Sequence, residues 1–471
     1  MAAKAKQESK SGKDESYDAY FDMVQSQKKL PCALQEKLTS AFAKIPVSSF
    51  PKVPGGKGSE RLVLDLVTSL LHRPSRLMTV NFVVIEIQAD MSIGDALKVL
   101  SETNILSAPV VDPEASDSKD WRKRYLGIVD YSAIVLYVLQ TAEIAAVTLS
   151  ATSAAAAGVG TAAAGTIGAL ALGATGPLAV AGLTVAAVGA AVAGGVAADR
   201  GIGKDAATAA DKLGNDFYKV ILYEEPFKST TVRSILKSYR WVPFVPVAPD
   251  SSMLSVMLLL SKYRLRNVPV IELGNPSINN FITQSAVVHG LQECKGRDWF
   301  DCIAAHPLSD LGLPFMSPDQ VVSVRDNELV LEAFKKMKEN QIGGLPVVEG
   351  ASTKIFGNIS IRDIRFLLLK PELFTNFREL TVKDFIKAVA STTDDNGKIV
   401  TPITCHSSST LGTVIDTLAS RVVHRIYVVS GEGKQVLGVV TLRDVISCFI
   451  TEPPNFFDDY FGFTAKEILS R

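Results

Sequence analysis

The spacing of apolar residues changes period repeatedly along this chain, and always in the same order. Ile93, Ala96, Leu97 and Leu100 follow the i, i+3, i+4, i+7 rule, which predicts an amphipathic helix, and Ser92 with Asp95 forms a capping box at its start. A short apolar run with a proline follows ("SAPVV"), then a polar turn, and "LGIVDYSAIVLYVL" supplies a second strand and a second helix. The order returns in "SSMLSVMLLLSKYRLRNVPVIELG" with "NFITQSAVVHGL", and again in "ELVLEAFKKMKENQIGGLPVVEG" with "GNISIRDIRFLLL". In a fourth stretch Leu411, Val414, Ile415, Leu418 and Val422 share one helix face ahead of "VHRIYVVSGEGKQVLGVVTLRDV". Upstream, residues 17–46 read as helical, with Leu34, Leu38, Phe42 and Ile45 at helical spacing and Pro46 as the stop.

Gly127, Gly357 and Gly438 mark the same place in the first, third and fourth copies, and Asn280 stands there in the second. Copies two to four recur every 80 residues or so, and the gap from one to two is about twice that. The excess is an uncharged Ala/Gly/Val/Thr block, Ile144 to Ala198. The expected order is a disordered tail (1–16), a helical region and linker (17–57), an atypical insert (58–82) and repeat one (83–142). The Ala/Gly-rich insert (143–215), repeat two (216–295), a linker (296–315), repeat three (316–372), a linker (373–395) and repeat four with its tail (396–471) follow. A small sheet with two helices cannot hide both faces alone, so the copies are expected to pair sheet against sheet, giving two modules of mixed α/β fold.

A chain of 471 residues with 47% hydrophobic content is globular and needs several domains. Lys+Arg and Asp+Glu both total 49, which argues against a nucleic-acid binder. Five scattered cysteines suggest no disulfide framework and a reducing compartment, cytoplasmic and/or nuclear. The charged N-terminal stretch lacks the apolar core of a secretory signal. The uncharged block invites a membrane hairpin, since about 20 apolar residues span a bilayer. It is poor in Leu, Ile and Phe, so a helical or disordered soluble insert is the preferred reading.

The octets "GNISIRDI" and "GVVTLRDV" each place Ser/Thr three residues before Asp at a strand-to-helix junction. Ser360 with Asp363, and Thr441 with Asp444, satisfy a helix cap and need do nothing more. The same geometry also suits a phosphorylated sugar. Free backbone N–H groups and the helix dipole attract phosphate, and a carboxylate one turn in accepts hydrogen bonds from a ribose diol. Arg362, Arg443, His424 and Arg425 add cationic contacts for phosphates.

These motifs resemble the cystathionine-β-synthase (CBS) domain, whose pairs (Bateman modules) form adenine-nucleotide sites. Four copies, with "VHRIYVV" in the last, resemble the gamma regulatory subunits of the AMP-activated and sucrose-non-fermenting kinase family. "YDAYFDMVQSQKKLP", "RLRNVPVI", "CKGRDWFD" and the Ala/Gly insert resemble the plant form. The resemblance covers nearly everything from residue 17 onward. It implies an α+β CBS fold in two tandem modules and a non-catalytic subunit of a Ser/Thr kinase in energy and carbohydrate signalling. It implies a catalytic alpha subunit and a scaffold beta subunit as partners, AMP, ADP or ATP as regulatory ligands, and no obligatory cofactor.

By position, the family's ribose-binding pair falls on Ser360 and Asp363 in repeat three and on Thr441 and Asp444 in repeat four, and its phosphate-binding His-Arg on His424 and Arg425. Repeat one has Asp130 and Ala133 at the corresponding places. Repeat two keeps Thr283 but has Ala286 for the Asp, and Arg266-Asn267 for His-Arg, with Arg264 close by to compensate in part. Nucleotide binding is therefore expected in the second module. Residues 58–82 depart from the family pattern, as an extra helix or, the preferred reading, as translated intron.

His289, Cys294, Cys302 and His306 lack the spacing of a structural zinc site. Cys405 and His406, adjacent on a strand, point to opposite faces and make a poor nucleophile–base pair. Trp121, Trp241 and Trp299 read as core or interface residues. With no P-loop, HRD or DFG motif the chain is not itself a kinase. Two rivals to a regulatory nucleotide binder remain: a scaffold whose octets are caps only, and an adaptor touching membrane through 144–198.

Overall fold

The computed structural model describes residues 21–50, 84–103, 105–141, 227–239, 243–272, 274–350, 352–364, 366–367, 373, 377–393, 401–431 and 434–457. The N-terminal tail, the 58–82 insert, the 144–198 block and Trp241 lie outside the described residues. The single helix expected over 17–46 is broken: residues 21–27 are helical, and α1 (Cys32–Ala43) starts afresh after Pro31. Proline lacks a donor N–H and pushes the residue before it out of the helical region.

Repeat one runs β1 (Ile87–Gln88), α2 (Ile93–Glu102), β2 (Ser107–Val111) and β3 (Tyr125–Asp130), and residues 131–141 are helical. The sheet order is β1-β2-β3, with β1 parallel and β3 antiparallel to β2. After α3 (Val232–Tyr239), repeat two has α4 (Met253–Ser261), β4 (Asn267–Glu272), β5 (Asn275–Thr283) and α5 (Gln284–Gln292). It keeps only a parallel bridge, Val247 to Val270, where the others have a short first strand. α6 (Asp298–Ala304) leads to repeat three: β6 (Val324–Arg325), α7 (Val330–Glu339), β7 (Gly344–Val348), β8 (Ile355–Ser360) and a 3-10 turn, Ile361–Ile364. α8 (Val382–Thr393) precedes repeat four: β9 (Thr404–Cys405), α9 (Leu411–Ser420), β10 (Arg425–Val429), β11 (Val436–Thr441) and α10 (Leu442–Cys448).

The four landmark residues share one register slot: Gly127 faces Val110, Asn280 faces Val270, Gly357 faces Val347 and Gly438 faces Val428. Close approach explains the glycine in repeat four, where a Cβ at Gly438 would stand 2.2 Å from Pro314 Cγ.

Packing joins the repeats in a ring. The sheets of repeats one and two meet through Val111, Tyr125 and Ile128 against Phe244, Ile271 and Ile278, with Tyr125 and Phe244 stacked at 4.2 Å. The sheets of three and four meet through Val348 and Ile355 against Tyr427, Val429 and Val436. Helical layers supply the other two contacts. One core joins repeats one and three, and a second joins two and four with the N-terminal segment. Ser261 on α4 and Ser447 on α10 share a buried hydrogen bond of 2.7 Å. Full burial of side chains such as Leu100, Phe334 and Phe449 contributes about 1.5–3 kcal/mol each.

Each repeat is also clasped by a segment from elsewhere in the chain. At α2, Ile93 N donates to Thr230 O (2.9 Å) and Val232 N to Met91 O (2.9 Å). The same reciprocal pair joins Met253 N to Ile45 O and Val47 N to Ser251 O, Val330 N to Leu380 O and Val382 N to Glu328 O, and Leu411 N to His306 O and Leu308 N to Ser409 O. These bonds satisfy amides that a helix start leaves unpaired. Consequently α3, inside the stretch read from sequence as repeat two, contributes Val232, Ile235 and Leu236 to the core of repeat one.

Among the described residues, three repeats turn from helix to strand through a left-handed residue: Arg264 (φ 57), Gln341 (φ 56) and Val422 (φ 53). Val423 N then reaches back to Leu418 O at 3.1 Å. A β-branched side chain fits this conformation worst. Val422→Gly is expected to raise stability by about 1 kcal/mol, read as a higher urea midpoint. An unchanged or lower midpoint contradicts this account of the turn.

Candidate functional site

The first residues of β2, β4, β7 and β10 face the last residues of β3, β5, β8 and β11. The pairs are Ser107 with Asp130, Asn267 with Thr283, Gly344 with Ser360, and Arg425 with Thr441. Helix or turn begins right after each of the latter residues, so the octet chemistry collects at one end of every sheet.

In repeat four the capping box is complete. Asp444 Oδ2 accepts from Thr441 N (2.8 Å) and Thr441 Oγ1 (2.7 Å), and Asp444 N donates back to Thr441 Oγ1 (3.4 Å). Asp444 is buried, and burial pushes its carboxyl above the usual range against the opposing pull of Arg443, the Thr441 bonds and Arg264. In repeat three Asp363 lies in a 3-10 turn rather than the expected α-helix, yet its Oδ2 still accepts from Ser360 N at 2.7 Å.

The remaining cations converge on His424. Its imidazole is half-buried and held neutral, with a pKa lowered to about 3 by burial and by the charges of Arg362, Arg425 and Arg266. Arg362 comes from repeat three, Arg266 from repeat two, and His424 and Arg425 from repeat four. Arg425 lies across Gly344, where a Cβ would stand 1.7 Å from its Nη1, so glycine is what admits the guanidinium. Arg425 Nη1 donates to Asn358 Oδ1 (3.4 Å), which also accepts from the Tyr427 hydroxyl. Burial pushes that phenol up to about 12. The charge of Asp363 in repeat three reaches Tyr427 as well. Arg264 and Arg443 gather instead around Asp444.

Thr283 stands across from Asn267, next to Arg266 but in the first module. It caps α5 through Ala286 N (3.1 Å) and lines a first-module cavity of about 150 Å³ with Ser107, Ala108, Pro109, Ile128, Asn267 and Phe281. By register this is the place Arg425 fills in the second module, and Asn267 is too short to fill it. Sequence reasoning missed three residues here: Asn358 and Tyr427, which anchor Arg425, and Asp130, whose Oδ2 accepts from Arg266 Nη1 at 2.9 Å. An acid in the capping slot of repeat one was the available signal for the last. Around the linker cysteines, the Cys294 thiol donates to Gly290 O at 3.3 Å, and among the described residues no cluster of three His, Cys, Asp or Glu is suited to a metal.

The depressed His424 pKa fixes a pH dependence. Below its ordinary value of 6.5 the unfolded chain takes a proton that the folded chain refuses until about pH 3. Stability is therefore lost as pH falls through that window and is fully present above it. His424→Gln should shrink the drop in melting temperature between about pH 7.5 and about pH 5 relative to the unaltered protein. Superimposable pH profiles for the two proteins would contradict the assignment.

Comparison with known proteins places this geometry in a family. The CBS domain model matches residues 75–140, 308–370 and 394–450, which fall on repeats one, three and four. The chain is 62% identical over 456 residues to the Arabidopsis thaliana SNF1-related protein kinase regulatory subunit gamma-1-like, covering 97% of this chain and 96% of that one. It is 34% identical over 439 residues to the Arabidopsis thaliana SNF1-related protein kinase regulatory subunit gamma-1, covering 90% of this chain and 86% of the other. With the human 5'-AMP-activated protein kinase subunit gamma-3 it shares 23% identity over 241 residues, 50% of this chain and 46% of that one. The protein belongs to the family of SNF1-related protein kinase gamma regulatory subunits, built from CBS repeats.

Proposed function

We propose that this chain is the non-catalytic gamma regulatory subunit of a heterotrimeric Ser/Thr kinase in energy and carbohydrate signalling, and that its second module binds an adenine nucleotide. The observation that carries the nucleotide reading is the charge of Arg266, Arg362 and Arg425 acting on a neutral His424, with the junction carboxylate of Asp363 reaching Tyr427 three residues on. Phosphates are drawn to the guanidinium groups. Asp363 and Asp444 each accept at the cap through Oδ2, and these carboxylates are the proposed ribose partners. The two Arabidopsis relatives named above are regulatory subunits by name, and the human one is a gamma subunit of a kinase named for activation by 5'-AMP. A catalytic alpha and a scaffold beta subunit are the proposed partners. Five free thiols support a reducing compartment, cytoplasmic and/or nuclear.

Any effect on the kinase comes from different affinity for nucleotide in two arrangements of the complex. Isothermal titration with AMP, ADP and ATP tests the binding step. Saturable heat is expected from the unaltered chain, and loss of it from the Asp363→Ala/Asp444→Ala variant. Each Ala removes a cap worth about 1 kcal/mol, so circular dichroism must show the variant folded. Absence of heat with all three nucleotides in the unaltered chain removes the ligand from the proposal.

A further inference from the structure

We infer that Asp130 is a resident anion that competes with the phosphates of the second-module ligand for Arg266, and thereby sets how strongly that site favours charged ligands. The inference rests on the nucleotide reading above. Its starting point is the capping slot, which holds Thr283, Ser360 and Thr441 in three repeats and Asp130 in the first. A hydroxyl suffices for capping, as Thr283 and Thr441 show.

Asp130 performs the same job with one oxygen only. Its Oδ1 accepts from Ser132 N at 2.8 Å and from the Ser132 hydroxyl. The second oxygen is surplus to the cap, and it holds Arg266 Nη1 at 2.9 Å. The Asp130 side chain is 15% exposed and that of Arg266 35%, so water screens the pair only in part. Arg266 starts in repeat two, pairs with repeat one, and puts its charge on His424 of repeat four alongside Arg362 and Arg425. It therefore stands between a first-module carboxylate and the second-module cation cluster.

A guanidinium binds carboxylate and phosphate through the same fork of N–H donors. A phosphate approaching this cluster meets Arg266 already engaged, and it also meets the negative charge of Asp130. Both effects weaken binding in proportion to ligand charge and leave a neutral nucleoside untouched. Replacing the carboxylate by the hydroxyl of the other repeats keeps the cap and releases the cation.

The test uses the full chain with Asp130→Thr, Arg266→Gln and the double variant, titrated with adenosine, AMP and ATP. Asp130→Thr is expected to tighten ATP about fivefold and AMP by less, with adenosine unchanged. In the Arg266→Gln background the same replacement should gain nothing, because the contested cation is gone. Equal affinities for AMP and ATP in Asp130→Thr and the unaltered chain overturn the inference while leaving the nucleotide reading in place. So does a gain shared by adenosine, or one that survives Arg266→Gln. Binding of ATP by Asp130→Thr alone would support it in its strongest form, and failure of both chains to bind any of the three ligands ends both proposals. Asp130→Ser serves the same comparison if the Thr variant does not fold.

Discussion

A sheet of two or three strands with helices on one side still has an apolar face to hide, and the arrangement of this molecule follows from hiding it. Sheet faces meet within each module, through Tyr125 and Phe244 in the first and Tyr427 with Val348 in the second. Helices then meet across modules, joining repeats one with three and two with four. Because every strand-to-helix junction lies at the same end of its sheet, this pairing brings residues from three repeats onto His424. The charge cluster is thus a by-product of a hydrophobic requirement, and its members are fixed by strand register more than by one another.

Positioning within the cluster rests on small steric permissions and neutral anchors. Gly344 gives Arg425 room to cross the sheet end, and Asn358 with Tyr427 hold it there. Low local dielectric strengthens these bonds and also keeps His424 unprotonated, so the cluster gathers arginine charge without an additional imidazolium. Asp444 is anchored differently, by the α10 cap and by the charges of Arg443 and Arg264.

Much of the fold was legible because it depends on local rules. The helix periods over 93–102, 330–339 and 411–420, the Ser92–Asp95 pair and the Thr441–Asp444 box stand where spacing put them, and the landmark residues share one register slot. What was not legible depends on contacts between distant segments. Nothing in the pattern of Val232 to Leu236 says which sheet that face will cover, and it covers repeat one. The Asp130–Arg266 pair spans 136 positions and two repeats, so spacing alone could not reveal it. Pro31, by contrast, carries a readable stop signal that a reading resting on Leu34, Leu38, Phe42 and Ile45 passes over.

The clasp at repeat one has a consequence for how the chain is made. The α2 start is completed by Thr230 and Val232, which leave the ribosome long after Thr141. At roughly 5–20 residues per second that interval is on the order of ten seconds. Through it, buried positions such as Ile134, Leu136 and Val138 lack the face of α3 that shares their core. The nascent chain therefore presents a sticky intermediate before its own later segment arrives to cover it. Chaperone demand during synthesis should concentrate on this first unit, whereas repeat four emerges after residues 305–311 that clasp it.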